Sequence, residues 1–345
     1  MFFFTSSTQR GGIAFVSAST LLLAGCGGGG GSTGTSVGNS SPPSSQAATI
    51  TESQSQALFI SQTINGDINA AKSMMKSAVN DYPTGLYSQF VAGSTSSACT
   101  FGGTLSASVT DNGTPQVTDA GDSVVYTYTN CKFATDTTIN GIVTYTWISA
   151  TNDPTATNSW AAKFTETWQN YVDSASSKQT TQDGTKTYDM TSIDATRKRG
   201  VLTFHDFRET DSNGSPGAYV IQDYADSDGQ VFTYSVDAGS NAHISIQNGY
   251  VITATPTDSY AFTYATATPF TFDSSDHPTG GAANVIIHLS GSALANALTV
   301  SNWPTIDATV NVKWTVIDSN SVKLESDLDN DGSYEVSYPF NFSQL

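Results

Sequence analysis

The clearest pattern in the chain is a period of two between apolar and polar positions, which begins near residue 98. Its best example alternates apolar residues from Ile306 to Val316 with Asp307, Thr309, Asn311, Lys313 and Thr315. Successive side chains of a strand point to opposite faces, so this alternation predicts strands with one buried face and one hydrated face. Shorter runs of the same kind are Val143, Tyr145, Trp147 and Trp160, Ala162, Phe164, Trp168.

Asn-Gly and Asp-Gly pairs recur between the apolar runs and are typical of tight hairpin turns. They lie at residues 112–113, 140–141, 183–184, 213–214, 228–229, 248–249 and 331–332. If these pairs are turns, the chain forms about twelve to sixteen strands. Because no helical pattern separates the strands, we predict a mainly β fold with a large antiparallel sheet, a sandwich or a partly open barrel.

A different period appears between Glu52 and Asn80, where apolar residues recur at steps of three and four. These residues are Leu58, Ile64, Ile68, Ala71, Met75, Ala78 and Val79. The pattern predicts one amphipathic helix, which Pro83 and Gly85 would end. We expect this N-terminal helix to pack on the sheet through its apolar stripe, with Met74 and Met75 as core residues.

The beginning of the chain has the layout of a bacterial secretion signal. Arg10 precedes an apolar run from Ile13 to Ala24, which is too short to span a bilayer as a stable helix. The run closes with Leu23-Ala24-Gly25-Cys26, which resembles the lipobox of bacterial lipoproteins. The resemblance implies cleavage before Cys26, diacylglycerol on its sulfur and a fatty acid such as palmitate on its new amino group. Gly27 in place of Asp implies the outer membrane, with the protein periplasmic or surface-exposed.

Composition divides the chain into segments. Residues 1–25 form the expected signal peptide, and residues 26–50 form a Gly/Ser/Pro tether that buries too little apolar surface to fold. Residues 51–97 are the expected helical segment. Residues 98–345 form the expected antiparallel β domain, with a possible subdivision near 212–217.

Charge limits the class of partner. The chain has 13 basic and 30 acidic residues and a net charge of −17. Such a protein repels phosphate backbones, so we expect no nucleic-acid partner. Repulsion from anionic headgroups also leaves the lipid anchor as the expected membrane contact.

Two cysteines remain after Cys26 is assigned to the lipid. Cys99 and Cys131 lie in consecutive strand-like segments, and disulfides persist in exported proteins. We therefore predict that the two form a structural disulfide, which contributes about 3–4 kcal/mol by restricting the unfolded chain.

Asp327, Asp329 and Asp331 precede Gly332 and resemble an EF-hand-type calcium loop, with Glu335 at the ninth position. Alternating oxygens on a tight turn can converge on a hard cation. The resemblance is limited because sequences that alternate like strands flank the motif, where an EF-hand has helices. Tyr338 also occupies the twelfth position, where an EF-hand has a bidentate glutamate. Two interpretations remain open, a calcium site and a hydrated hairpin turn. A poorer copy of the motif is Asp223, Asp226 and Asp228 before Gly229.

No residue is predicted to be catalytic. Glu166 shares an apolar face with Phe164 and Trp168, which would suit a general acid if the carboxyl were buried. A strand edge or bulge that turns Glu166 to water is the simpler interpretation, and we favour it. The four histidines lack the close spacing of a zinc site.

These observations predict a non-enzymatic cell-envelope lipoprotein whose β-rich surface or cavity serves an envelope protein, lipid or polysaccharide. One alternative is a calcium-stiffened adhesin-like module, and another is an exported carbohydrate-active hydrolase. We expect no cofactor other than calcium.

Overall fold

The structure, a computed structural model, describes residues 54–82, 93–115, 117–152, 159–175, 178–194, 196–212, 219–223, 229–255, 258–290 and 308–345. One helix, α1, spans Gln54–Asp81. The strands are β1 Gly93–Ala98, β2 Thr104–Thr110, β3 Ser123–Cys131, β4 Thr137–Thr151, β5 Trp160–Ala175, β6 Lys178–Ser192, β7 Lys198–Ser212, β8 Tyr219–Asp223, β9 Val231–Val236, β10 Ala242–Thr255, β11 Asp258–Phe272, β12 Pro278–Ser290, β13 Ala308–Asp318, β14 Ser321–Asp327 and β15 Val336–Asn341. A 3₁₀ turn, Phe342–Gln344, ends the chain.

The strands form one open antiparallel sheet of 15 strands, in which chain neighbours pair in order. The single departure is at β8 and β9, which both pair with β7 and β10 at different positions. Within the described residues, β1 pairs only with β2 and β15 only with β14, so these two strands are the edges of the sheet. The prediction of a mainly β fold with one large antiparallel sheet is confirmed.

The helix packs on one face of the sheet, as predicted, and crosses the strands. Near its N-terminus Ser61 accepts a hydrogen bond of 2.7 Å from the Trp314 indole on β13. Just beyond its C-terminus Tyr82 accepts one of 2.9 Å from the Trp147 indole on β4. Ser61 and Tyr82 lie about 32 Å apart along the helix axis, at about 1.5 Å per residue. One helix thus spans the sheet from β13 to β4.

The inner face, defined as the face that carries the helix, holds the core. Every second residue of β13 is buried there, from Val310 through Trp314 to Val316, as the period of two predicted. The apolar stripe of α1 meets this face, and Ile64, Ala71, Met75 and Val79 are fully buried. Ile306, at the start of the predicted run, lies outside the described residues.

Three of the predicted turn pairs lie inside strands. Asn140-Gly141 is in β4, Asp183-Gly184 is in β6 and residues 248–249 are in β10. Gly141 and Gly184 have positive φ, 113° and 114°. A Cβ at either position would lie within 2.5 Å of backbone atoms of the neighbouring strand.

The first two pairs accommodate β-bulges rather than turns. Asn170 on β5 has φ of 48°, and the register shifts there on both sides. Its N–H donates to the Asp183 carboxylate at 2.6 Å, and its carbonyl lies against Gly141. Asp206 on β7 lies against Gly184 in the same way, with φ of 46°. The Asp183 carboxylate thus accepts from the bulge at Asn170, and Gly184 leaves room for the bulge at Asp206, so one pair serves two neighbouring bulges. The prediction of turns at all three pairs was wrong.

β1 begins at Gly93, so a strand lies within the segment expected to be helical. The expected signal peptide, lipobox and tether lie outside the described residues, as do positions 213–217 of the possible domain boundary. No helix in the described part of the chain has the length and apolarity needed to cross a membrane.

Candidate metal centre and buried carboxylates

The acidic loop, residues 327–335, joins the end of β14 to the start of β15. It brings together the four predicted ligands Asp327, Asp329, Asp331 and Glu335. Each can place one carboxylate oxygen so that all four oxygens lie within 4.8 Å of one another. Asn330 and Gly332 have positive φ, 61° and 92°, which turns the backbone so that the carboxylates converge.

Asp327 differs from the other three acids because it is buried. Its side chain is only 3% exposed, whereas Asp329, Asp331 and Glu335 are exposed. Its Oδ2 accepts the Gly332 N–H at 3.1 Å, and its buried Oδ1 has no hydrogen-bond partner in the structure. Buried carboxylate oxygens are normally paired, so this oxygen marks a site that a further group would complete.

The loop is attached to three strands. The Leu328 N–H donates to the Glu335 carboxylate at 2.9 Å, which joins its two ends. The Asn330 amide donates to the Thr309 carbonyl of β13 at 3.0 Å, and its oxygen accepts from Asn311 at 2.8 Å. The position of the loop is therefore tied to β13 as well as to β14 and β15.

The poorer acidic copy cannot be assessed in the same way. Asp223 is the last residue of β8, and its partners in the predicted motif, Asp226 and Asp228, lie outside the described residues.

The predicted cysteine pair is joined. Cys99 and Cys131 form a disulfide with α-carbons 5.4 Å apart. Cys99 follows β1 and Cys131 ends β3, so the bond ties the first edge of the sheet to its third strand.

Glu166 lies on the inner face, where its alternation with Phe164 and Trp168 places it. It is 6% exposed and accepts hydrogen bonds from Tyr145 at 2.7 Å and Tyr188 at 3.0 Å. The interpretation that an edge or bulge turns Glu166 to water was therefore wrong. Burial, followed by the nearby Glu166 charge, raises the pKa of both tyrosines far above the usual range, so their hydroxyls remain donors.

A lysine completes the Glu166 cluster, which we define as Glu166, Tyr145, Tyr188 and Lys186. The Lys186 ammonium is 3.9 Å from the Glu166 carboxylate and 4.2 Å from the centre of the Phe207 ring. Burying a carboxylate is tolerated where a cation and hydrogen-bond donors compensate for lost water. The cluster therefore satisfies its own charge.

Another buried carboxylate, on the helix, was missed by sequence reasoning. Asp67 of α1 is 3% exposed and accepts hydrogen bonds from the hydroxyls of Tyr250 and Tyr264. We call these three residues the Asp67 cluster. Its Oδ1 is buried without a hydrogen-bond partner in the structure. Burial raises its pKa to about 7, although the tyrosine hydrogen bonds oppose the rise. The available signal was an acid on the apolar stripe, three residues after Ile64.

The histidines are dispersed in the fold. His243 lies 3.3 Å from the Asp237 carboxylate, and His277 lies 3.7 Å from that of Asp273. His288 contacts Thr309 at 3.1 Å, and His205 is exposed on β7. Within the described ranges, the acidic loop is the cluster that brings three or more potential metal ligands together.

Comparison with known proteins adds no relative: no family model, curated protein or solved structure matches this chain. Any functional conclusion must therefore come from the residues and their geometry.

Proposed function

We propose that this chain is a non-enzymatic outer-membrane lipoprotein that binds a polypeptide partner at β1, an edge of its sheet that has one paired neighbour within the described residues. The anchor is supported by the sequence, in which a short apolar run ends at Leu-Ala-Gly-Cys, residues 23–26. The kind of partner is supported by a difference between the two edges of the sheet.

The two edge strands differ in how they would meet another strand. β15 contains Pro339, which lacks an N–H and interrupts the ladder of any added strand. β1 reads Gly-Ser-Thr-Ser-Ser-Ala and carries no proline and no charge. Natural edge strands usually carry a proline or a charge that prevents pairing with another strand. Because β1 carries neither, we infer that β1 is the edge that accepts a strand.

The chemistry of β1 favours recognition through the backbone. Five of its six residues are exposed, and all six are small, so an added strand meets no bulky side chain. Its outward N–H and C=O groups offer hydrogen bonds to an extended peptide, as in other cases of strand addition. The disulfide at Cys99 holds the end of this strand to β3 and limits the entropy lost on binding.

The interior of the sheet favours a surface over a cavity. Helix and strands fill the inner face with a continuous apolar core. A pocket of about 270 Å³ beside Lys76 and Lys198 lies below the usual ligand range of about 300–1,000 Å³. Within the part of the chain that the structure describes, this favours a protein partner over an enclosed lipid.

The buried carboxylates do not favour hydrolysis. Glu166 is hydrogen-bonded by two tyrosines, and Glu209 accepts from the Gln182 amide in the interior. A glycosidase needs two carboxyl groups that flank a substrate in an open cleft. Glu166 and Glu209 are each at most 6% exposed, which does not meet that requirement.

The anchor is tested by the Cys26→Ala variant. Loss of the thiol removes the site of lipid attachment, so the variant should leave the membrane fraction for the soluble fraction. The measurement is fractionation with a mass assignment of the N-terminus. Membrane retention of the unmodified variant would contradict the anchor.

The edge is tested by Thr95→Lys on β1, with Thr263→Lys on β11 as the matched control. Both threonines are exposed on strands. A charge on the edge opposes strand addition, so cross-linked capture of envelope proteins should fall about tenfold or more, about 1.4 kcal/mol. The control should retain the same captured protein. Equal capture by both variants would exclude the β1 edge.

A further inference from the structure

We infer that the acidic loop, residues 327–335, binds one Ca²⁺ ion and that the bound ion fixes the C-terminal edge of the sheet. This inference goes beyond the proposed function, because it depends on neither the lipid anchor nor the edge at β1.

The first observation is the distance between donor oxygens. Oxygens on opposite sides of one Ca²⁺ ion are about 4.6–5.2 Å apart, since each lies about 2.3–2.6 Å from the ion. One carboxylate oxygen from each of the four acids lies within 4.8 Å of the other three. A single ion can therefore contact all four acids without rearrangement of the strands.

The second observation is the buried, unpartnered oxygen of Asp327. The side chain is 97% buried, and only its Oδ2 has a hydrogen-bond donor. Acidic loops that are merely hydrated keep their carboxylates in water, which satisfies both oxygens. A buried oxygen beside three converging carboxylates has the surroundings of a metal ligand.

The donor set selects the kind of ion. Four carboxylates with no nitrogen or sulfur ligand suit a hard divalent cation rather than zinc or copper. Mg²⁺ keeps most of its water, whereas Ca²⁺ accepts several carboxylates in irregular geometry. Neutralising four clustered charges also favours the folded loop in a protein of net charge −17.

The effect on the fold follows from where the ligands lie. Asp327 is the last residue of β14, and Glu335 immediately precedes β15. An ion held by both joins the two strands at their loop end. Asn330 extends the connection to β13 through its bonds to Thr309 and Asn311. Calcium should therefore order β14 and β15 more than the centre of the sheet.

Calcium titration of the mature full-length protein, by calorimetry and thermal unfolding, tests binding. We expect one ion per chain with a Kd of about 0.1–1 mM, because no bidentate twelfth-position glutamate is present. At about ten times Kd the Tm should rise by roughly 2–4 °C. Mg²⁺ at the same concentration should have a smaller effect.

Asp329→Asn/Asp331→Asn is the test variant, since both residues are exposed and their loss does not threaten the core. It should lose the calcium response. Asp136→Asn/Asp189→Asn makes the same charge change at exposed positions elsewhere and should retain it. Absence of saturable wild-type binding up to about 10 mM, or equal binding by the test variant, would overturn the site.

Amide hydrogen exchange tests the fixing of the edge. Calcium should slow exchange in β14 and β15 by roughly tenfold, with little change in β4–β6, because local opening then requires release of the ion. Calcium binding without slower exchange in β14 and β15 would overturn the structural role.

Discussion

The sheet and the helix each bury one carboxylate between two tyrosines, and the two clusters differ in how the carboxylate oxygens are satisfied. Each Glu166 oxygen accepts from one tyrosine, whereas both tyrosines at Asp67 donate to Oδ2. The Glu166 cluster contains the Lys186 ammonium, 3.9 Å from the carboxylate. In the Asp67 cluster, by contrast, one carboxylate oxygen is buried without a hydrogen-bond partner. Tyr145 donates to Glu166 and Tyr250 donates to Asp67, and both hydrogen bonds are 2.7 Å long.

The two clusters therefore compensate the burial of a carboxylate to different extents. At Asp67 burial outweighs the two hydrogen bonds and raises the pKa to about 7. The proton is therefore held at the helix-sheet contact up to near neutral pH. A cation makes the other cluster an ion pair, whose loss would leave an uncompensated charge.

Removing the cation should have the largest effect. Lys186→Met preserves much of the packing against Phe207 but leaves Glu166 without its ammonium. Breaking a buried ion pair costs about 3–5 kcal/mol, which urea unfolding would measure as a lower midpoint. Lys163→Met is the control, because its pair with Asp189 is exposed and should be worth at most about 1 kcal/mol. Equal costs would mean that Lys186 contributes no more than a surface charge.

The Asp67→Asn variant should change how stability depends on pH. The pKa is 3.8 for the free side chain and about 7 in the fold. Below about pH 4 both states are protonated, and between about pH 4 and 7 only the unfolded state ionises, so stability falls as pH rises. The loss is complete above about pH 7 and amounts to about 4 kcal/mol.

Asparagine does not ionise, so the variant should lack this loss and gain on the wild type as the pH rises. Urea unfolding of both proteins at about pH 4, 6 and 8 measures the difference, which cancels the other carboxylates. Parallel pH profiles would show that Asp67 ionises normally in the fold.

A matched pair of tyrosine substitutions should give the smallest effect. Tyr145→Phe removes a donor from the Glu166 ion pair and should cost about 1.5–3 kcal/mol, as for hydrogen bonds to charged groups. Tyr250→Phe at about pH 5 removes a donor from a protonated carboxyl and should cost about 0.5–1.5 kcal/mol. The two costs should approach each other at about pH 8. A constant difference would indicate that the protonation of Asp67 is not its cause.

The acidic loop and the disulfide were predictable because their residues are close in sequence or few in number. Asp327 to Glu335 lie on one turn, so spacing alone brought the four acids together. Cys99 and Cys131 were the only pair left after Cys26. Burial of the Asp327 oxygen was not predictable, because it depends on packing around the end of β14.

The bulges show why local signals failed elsewhere. Asn140-Gly141 has the residue types of a hairpin turn, and a glycine with positive φ suits both a turn and a bulge. Only the register with the neighbouring strand decides between them, and that register is set by residues about thirty positions away.

The sequence by itself determined the mainly β class, the amphipathic helix and the antiparallel pairing, because these follow from periods of two and of three to four between neighbouring residues. The acidic motif and the predicted lipobox are also read from sequence, because each is a contiguous stretch. The tertiary structure alone decided that the helix crosses the sheet from β13 to β4, that Glu166 meets Lys186 and that Asp67 meets Tyr250, 183 residues away. The physical reason is that burial and electrostatic compensation depend on which distant strands share a face, and no local pattern specifies that.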